Sequence, residues 1–361
     1  MRHKQGAAPY LFLLPFLIIL SIFFVYAAGR AVAFSFSDYN LFNDPGFVGL
    51  RNYRNLFREA NFLRALGNSI VFSLVVTTMQ TIGALILASV LNARIRGRSF
   101  FRAAFYIPSV ASSVVTTLIF LWIFQRRGLL NYLLTQLQRY APVMLAFLLA
   151  AAAVQLLQVM IEKIRGRDCR WLDEPLMLIS LLAGAVSTVV LVISGLVQPL
   201  AIEAVDIVWL QTRSMVLGFI PRPLFAIMIQ NTFTTIPTLM LLFLAGLQDV
   251  PRSLYEAAEM DGAGPLQRFR NITIPAIQPV LFLVVTLGLI GTLQMFDQVA
   301  IFGDAVPLES VITLAYFVYN RMFPGAQLPE VGLASAAAIF LALFTLLMVL
   351  VQRFFIKSEV E

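Results

Sequence analysis

The sequence predicts an all-α, multi-pass membrane protein with about eight spanning helices, and three observations carry that expectation. Of its 361 residues, 60% are Ala, Val, Ile, Leu, Met, Phe, Trp, Tyr or Cys and only 12% are charged, about half the charge of a soluble domain. The apolar residues are gathered into runs of about twenty or more, the length a helix needs to cross ~30 Å of hydrocarbon. The Lys and Arg residues behind the formal net charge of +7 lie largely at the ends of those runs. That placement points to a bilayer and away from nucleic acid. Disorder is excluded by 31 Phe and a mean hydropathy of +0.85, the opposite of a low-hydrophobicity, high-charge chain. One His and one Cys leave no material for a multi-ligand His/Cys metal site, a disulfide framework or a Cys/His catalytic pair.

Eight runs qualify as spans: approximately Tyr10–Phe34, Gly67–Asn92, Ala103–Phe124, Pro142–Ile161, Pro175–Val197, Pro223–Leu247, Ala276–Phe296 and Val331–Phe355. The first follows Arg2, His3 and Lys4, as the core of a signal peptide would. Its length far exceeds the roughly 7–15 residues of such a core and no small-residue cleavage pattern follows, so it is expected to be retained. An even number of crossings puts both termini on one side, and the basic residues choose which. With the termini in the cytoplasm, the inner segments hold Arg2, Lys4, Arg94, Arg96, Arg98, Arg102, Lys163, Arg165, Arg167, Arg170, Arg252, Arg268, Arg270, Arg353 and Lys357, including all three Lys. Cys169 falls in an inner loop, where a thiol stays reduced.

The one long polar stretch between apolar runs on that face is DVPRSLYEAAEMDGAGPLQRFRNITIP, 249–275. Ser253 and Glu256 have the three-residue spacing of a capping box, which predicts a short helix starting there. Gly262 is suited to the left-handed conformation that closes a helix, and Pro265 to the first turn of the next. The helix is expected over Ser253–Asp261. Ala257 and Ala258 give it a small-faced middle that another protein can approach closely. On this chemistry alone, a stiff element that transmits a push and an amphipathic loop resting on the membrane surface are both open.

The spacing Glu256-Ala257-Ala258, three residues, Gly262, nine residues, Ile272-x-Ile274-Pro275 resembles the EAA signature of permease subunits of binding-protein-dependent ABC importers, with Ile274 where Leu is usual. Asp261-Gly262-Ala263, Phe269 and Pro279 extend the likeness to the carbohydrate-uptake, maltose permease-like branch. YLFLLP at 10–15, SFSDYN at 35–40, FVGLRNYRNLF at 47–57, FRAAFYIPSV at 101–110, GLLNYLL at 128–134 and AGLQDVPRSLYEAA at 245–258 are similar to that branch in order along the chain.

The resemblance implies a six-helix ABC importer permease core. The two surplus spans then read as an inserted transmembrane hairpin, dividing the chain into 1–137 with the outer loop 35–66, the hairpin 138–207, and 208–361 with the cytoplasmic coupling loop 248–275. An inserted pair of spans enters and leaves on one side, so everything downstream keeps its direction. The hairpin spans carry no ionisable residue at mid-depth, which argues for a peripheral place. The outer loop Ser35–Arg64 is expected to meet a binding protein, as a plug or rim.

By the same resemblance Ser253, Glu256, Ala257, Ala258, Asp261, Gly262 and Pro275 couple the chain to an ATPase. Expected partners are a second homologous permease subunit, a dimeric ABC ATPase, an extracytoplasmic solute-binding protein and membrane lipid, at the inner (plasma) membrane; no cofactor, metal or nucleic acid is expected. The sixth and seventh spans hold the polar groups Gln230, Asn231, Thr232, Thr234, Thr235, Thr238, Thr286, Thr292, Gln294 and Asp297, with Pro237 in the sixth. Amides and hydroxyls match sugar hydroxyls, and Phe233 or Phe296 could stack on a sugar ring; helix–helix hydrogen bonding is the competing role for each. Taking Gln248 and Phe296 as anchors, the maltose permease-like pattern singles out Thr234, Thr235, Thr238, Thr292 and Met295. Asn231, Gln294 and Asp297 complete the candidate set for solute.

Other classes lack their machinery. No G-x-x-x-x-G-K-[ST] is present, so ATP hydrolysis belongs to another chain. An ion-coupled secondary transporter is the alternative of a different class, but charged pairs at mid-membrane and a repeat relating two halves are absent. A permease for a glycerol phosphate is the alternative within the same class. Ser113, Ser187 and Ser194 have no partner base for catalysis and read as small packing residues.

Overall fold

The computed structural model describes residues 8–93, 97–166 and 173–355. Arg2, His3, Lys4, Arg94, Arg96, Arg167, Cys169, Arg170 and Lys357 lie outside the described residues. Among those described, seven helices are long and apolar enough to cross a membrane, or eight if one sharply bent pair is a single span. The chain divides into two compact units, one made of 1–121 with 209–361 and the other of 122–208.

The first unit begins with α1 (Ala8–Leu20), a π-helical turn (Ser21–Tyr26) and α2 (Ala27–Ser35), together one apolar rod over Leu11–Ser35. Its large side chains from Leu11 to Tyr26 are all exposed, as a lipid-facing helix requires. After the short α3 (Arg51–Leu56), α4 (Ala60–Asn92) supplies the central span. The expected span Ala103–Phe124 is corrected. It is two helices, α5 (Arg98–Val110) and α6 (Ser113–Ile123), bent by 93°. Eleven residues of α6 reach only about 16 Å at 1.5 Å per residue, half the hydrocarbon thickness. Pro108 lacks an amide and Ser109 Oγ instead donates to the Tyr106 carbonyl at 2.8 Å, so the ladder fails just before the bend.

After α7 (Leu129–Ile164) and α8 (Glu174–Ile193), which belong to the second unit, the first unit resumes with a two-stranded antiparallel ribbon, β1 (Met215–Val216) and β2 (Ile220–Pro221), then α9 (Arg222–Asp249). The short helices α10 (Arg252–Met260), α11 (Pro265–Arg268) and α12 (Ile274–Ala276) lead to α13 (Gln278–Leu293) and α14 (Asp297–Phe302). The expected seventh span Ala276–Phe296 is thus interrupted at 294–296. Next come α15 (Leu308–Val311), α16 (Leu314–Met322) and the last span α17 (Val331–Phe355). Two buried clusters hold the unit. Ala84, Ala88 and Leu91 of α4 pack with Leu239, Met240, Phe243 and Leu244 of α9 and Val284 of α13. Phe62 and Ala65 of α4 pack with Leu293, Phe317, Ala336 and Ala337 beneath the α16–α17 turn. The fully buried Gln80 of α4 lies where a side chain on Gly288 of α13 would stand, its Nε2 only 2.5 Å from that Cβ position. A larger residue would push the two helices apart.

The second unit is a helical hairpin, α7 (Leu129–Ile164) and α8 (Glu174–Ile193). The span expected to start at Pro142 belongs to one continuous 36-residue helix that passes through that proline. Such a helix is about 54 Å long. That is longer than the ~30 Å hydrocarbon layer, and a following segment is strapped along its first third. Leu200 N–H donates to the Arg139 carbonyl at 2.8 Å, Val205 N–H to Thr135 Oγ1 at 2.9 Å, and Asn131 Nδ2 to the Ile207 carbonyl at 2.8 Å. Lower down, Ser180, Gly184 and Thr188 of α8 repeat every four residues and are buried. A Cβ on Gly184 would stand 2.8 Å from Ala151 Cβ, so α7 and α8 touch along a stripe of small residues. Ser180 Oγ donates to Gln155 across it.

Candidate functional site

α9 ends at Asp249 and its chain straightens through Val250 and Pro251. Pro251, at φ −60° and ψ 130°, is the N-cap of α10, which starts at Arg252. The expected capping box is therefore corrected: Ser253 occupies the second helical position and caps nothing, and Glu256 does not return to the N-cap. The proline ring fixes the entry angle, and its carbonyl accepts from Leu254 N–H at 3.2 Å, so the first turn is closed one residue early. The helix is Arg252–Met260, with Asp261 as C-cap.

Its other end forms as expected. Gly262 sits at φ +76° with nothing within 4 Å of a modest added Cβ. Its N–H donates to the Glu259 carbonyl at 3.0 Å, and Ala263 N–H to the Ala258 carbonyl at 2.9 Å, the paired bonds of a Schellman closure. Backbone conformation rather than space is what demands glycine there. Pro265 opens α11, and Gln267 Oε1, three residues into that helix, accepts from Gly264 N–H at 2.9 Å. An N-cap amide is thus satisfied by a side chain one helix later than the sequence suggests.

Two contacts set the angle of this bracket. Arg268 meets Glu259 across the turn at 3.2 Å, and the Tyr255 hydroxyl meets Thr273 Oγ1 at 2.9 Å. Beyond them Phe269–Thr273 is π-helical and Pro275 sits inside α12, half-buried. Tyr255, Ile272 and Ile274 pack on the cluster that joins α4, α9 and α13. One face of the bracket is thereby attached to three spans. The other face leaves Leu254, Met260 and Leu266 exposed, Met260 at 89%, beside exposed Glu256, Ala257 and Asp261 and half-buried Ala258. Among the described residues the Glu256 carboxylate accepts no hydrogen bond.

The candidate solute residues fall into three groups. The break between α13 and α14 gathers polar side chains from three helices. Asp297 at the start of α14 accepts from Ser113 Oγ at the start of α6; Asn231 Nδ2 of α9 donates to Gln298 Oε1 of α14 at 3.2 Å; Gln230 Nε2 of α9 donates to Thr117 Oγ1 of α6 at 2.5 Å. Thr234, Thr235, Thr238 and Gln294 are half-buried or exposed nearby in sequence, Thr234 Oγ1 being turned back to the Gln230 and Asn231 carbonyls at 3.1 Å. Thr292 is fully engaged: it is buried, donates to Ser73 Oγ at 3.0 Å and to the Gly288 carbonyl at 2.7 Å, and meets Thr77 Oγ1 at 3.2 Å. Met295 is buried, with its carbonyl accepting from Thr313 Oγ1 at 2.7 Å.

Ser113 is not a mere packing residue, which corrects the sequence expectation. Ser113 and Thr117 were missed as site residues because hydroxyls in an apolar run look like filler, and Gln298 because it lies just past the expected end of the seventh span. The four-residue spacing of Ser113 and Thr117, just past Pro108, is the signal that marks one polar helix face. No group of three or more His, Cys, Asp or Glu that could hold a metal ion occurs among the described residues.

A family model described as "Binding-protein-dependent transport system inner membrane component" matches residues 166–359. The chain is similar to the probable ABC transporter permease protein YurN of Bacillus subtilis (strain 168), 26% identical with 100% of each chain covered. It is also similar to the sn-glycerol-3-phosphate transport system permease protein UgpA of Escherichia coli (strain UTI89 / UPEC), 25% identical over 98% of this chain and 95% of that one. Among solved structures, a chain of a bacterial alginate ABC transporter, in complex with alginate pentasaccharide-bound periplasmic protein, shares the fold. Its TM-score is 0.66 at 19% identity, over 99% of this chain and 98% of that chain.

Proposed function

The chain belongs to the family of inner-membrane components of binding-protein-dependent transport systems, a transport subunit and not an enzyme, and from that premise we propose that it is the permease chain of an ATP-driven importer for a sugar, oligosaccharide or related polyol. The bracket 248–275 carries the reading. A rigid helix closed by Gly262, attached to α4, α9 and α13 and bearing an exposed face of Leu254, Met260 and Leu266, is built to receive a push and pass it to the spans. The partner that pushes is a separate, dimeric ATPase; Glu256 and Asp261 supply the polar contacts and Ala257 and Ala258 the close approach. A second homologous permease chain and an extracytoplasmic solute-binding protein complete the assembly. With the bent α5–α6 pair counted as one crossing the spans number eight, and both termini then lie in the cytoplasm, the side to which the three Lys point.

Solute passes where α6, α9 and the α13–α14 break meet. Asn231, Thr234, Thr235, Thr238, Thr292, Gln294, Met295 and Asp297 stand on the two spans concerned. The Ser113–Asp297 bond closes this point in the conformation described. UgpA is named for a glycerol phosphate and the solved neighbours for alginate, an acidic polysaccharide. Here, among the described residues, the side chains hydrogen-bonded at the break are Ser113, Thr117, Gln230, Asn231, Asp297 and Gln298, and none of them is a Lys or Arg that would neutralise an anion. Neutral hydroxyls suit that set better, because a buried anion without a cation is costly. The hairpin α7–α8 contributes no solute contact in this reading.

The test uses the assembled complex in lipid, with ATP hydrolysis and solute uptake measured on the same preparation. Gly262→Val places a β-branched residue at φ +76°, a strain of about 1–2 kcal/mol that the helix end relieves by unwinding. Expected is a loss of uptake per ATP hydrolysed, with solute-binding protein affinity unchanged. Normal uptake at normal coupling in that variant would sink the proposal. Uptake driven by an ion gradient without ATP would instead favour a secondary transporter.

A further inference from the structure

The segment joining the first span to α3 is a small hairpin built to hold an unfavourable conformation. Its base is locked. Asn52 Nδ2 donates to the carbonyls of Ser35 at 3.0 Å and Ser37 at 2.7 Å. Gly332, in the first turn of α17, donates to the Tyr39 carbonyl at 3.0 Å, and a Cβ on that glycine would stand 2.1 Å from the Ser37 carbonyl oxygen. Ser37 pairs with Phe47, and Asp38 Oδ1 accepts from Gly46 N–H at 2.8 Å. At the tip, Asn40 Oδ1 accepts from the amides of Phe42 at 3.0 Å and Asn43 at 2.9 Å, while Asn43 Oδ1 accepts from Asn40 N–H at 2.8 Å. This reciprocal pair of asparagines holds Leu41 at φ +73°, a region a leucine rarely enters.

What the strain achieves is display. Leu41, Phe42, Phe47 and Leu50 are 51%, 78%, 85% and 68% exposed, although a relaxed turn could fold Leu41 and Phe42 away from water. Strained backbone survives where its surroundings over-determine it, and it is concentrated where a segment has work to do. The neighbourhood identifies the occupant. The hairpin starts directly after the first span, whose large side chains from Leu11 to Tyr26 are all exposed. At the end of that span the Arg30 guanidinium lies 4.5 Å from the Phe34 ring centroid, and Phe34 stacks on Tyr39 with centroids 4.5 Å apart. A cation and two aromatic rings at a span end mark the level of the headgroups. The exposed apolar tip thus continues the lipid-facing surface of the span at the depth where apolar side chains enter the acyl boundary.

The geometry points to the tip of this hairpin, Leu41 and Phe42 with Phe47 and Leu50, as an interfacial anchor inserted into the bilayer surface beside the first span. Asp38 and Asp44 lie in the hairpin, a single Arg51 follows Leu50, and no Lys lies in the hairpin; without a cluster of basic residues, insertion is driven by apolar contact and not by attraction to anionic lipid. Because the base is locked to α17 through Gly332, the anchor sets the height of both the first and the last span. The inference stands on the hairpin alone and is independent of the transport reading.

A nitroxide introduced by Phe42→Cys, with Cys169→Ser to remove the only native thiol, reports the depth of the tip. The full chain is held with its partners in nanodiscs of phosphatidylethanolamine and phosphatidylglycerol. Oxygen, which concentrates among acyl chains, is expected to relax this label about threefold more effectively, relative to a water-soluble nickel chelate, than it relaxes a label at Asn55→Cys on α3. Leu41→Cys should give the same preference, and adding Asn40→Ala should mobilise the label and lower it. Equal or greater access of the nickel chelate at both 41 and 42 would overturn the anchor. So would immobilisation that arises only when a solute-binding protein is added, which would make that protein the occupant.

Discussion

Single side chains in this protein are read correctly only when their partners are known. Ser253 has the type and spacing of a helix cap, yet Pro251 takes that position. Ser253→Ala should therefore leave the unfolding midpoint and the coupled ATPase rate of the complex unchanged, where loss of a true cap costs about 1 kcal/mol. Thr292 bonds to Ser73 and Gly288 within the helix packing. Thr292→Val is expected to lower stability by about 0.5–1 kcal/mol, seen as a lower midpoint in lipid, because interhelical hydrogen bonds in membranes are worth roughly that much. Thr235→Val, on a half-buried position without such a network, should move solute affinity instead. Asp206, outside the spans, is held below the ordinary carboxylate range chiefly by its hydrogen bond to Arg126. A lowered folded-state value means the pair stabilises the fold above the ordinary carboxylate range and the contribution fades as pH falls through the folded value. The wild-type midpoint should exceed that of Asp206→Asn at pH 7, and the small gap should close in acid.

At the scale of elements, breaks matter more than lengths. The α5–α6 bend and the α13–α14 interruption meet through Ser113 and Asp297, so two discontinuities that look independent along the chain share one bond. Ser113→Ala removes it without adding bulk. If that bond holds the break closed, the assembled complex should hydrolyse ATP several-fold faster in the absence of solute-loaded binding protein; an unchanged basal rate would remove the bond from the cycle. The bracket 248–275 shows the same logic. Tyr255 and Thr273 are 18 residues apart, and their hydroxyls join the short helix to the foot of α13. Tyr255→Phe should weaken coupling while leaving assembly intact, measured as uptake per ATP.

For the whole molecule, the two compact units divide the labour. The unit 122–208 hydrogen-bonds within itself along the α7–α8 stripe and its own strap, as a self-contained hairpin does. Deleting 129–207 with a short linker should leave solute-stimulated ATP hydrolysis in the assembled complex; abolished stimulation with a folded chain would place the hairpin in the pathway. Membrane class, approximate spans and the glycine-closed helix before Gly262 were all legible in the sequence. They follow from local rules: run length against bilayer thickness, and residue types that few backbone conformations accept. The bent third span, the proline-capped start of α10 and the partners of Ser113, Thr117 and Thr292 were decided only by tertiary structure. A helix break or a hydroxyl in an apolar run can be satisfied in several ways, and which one is realised depends on groups up to 219 residues away that local sequence cannot place.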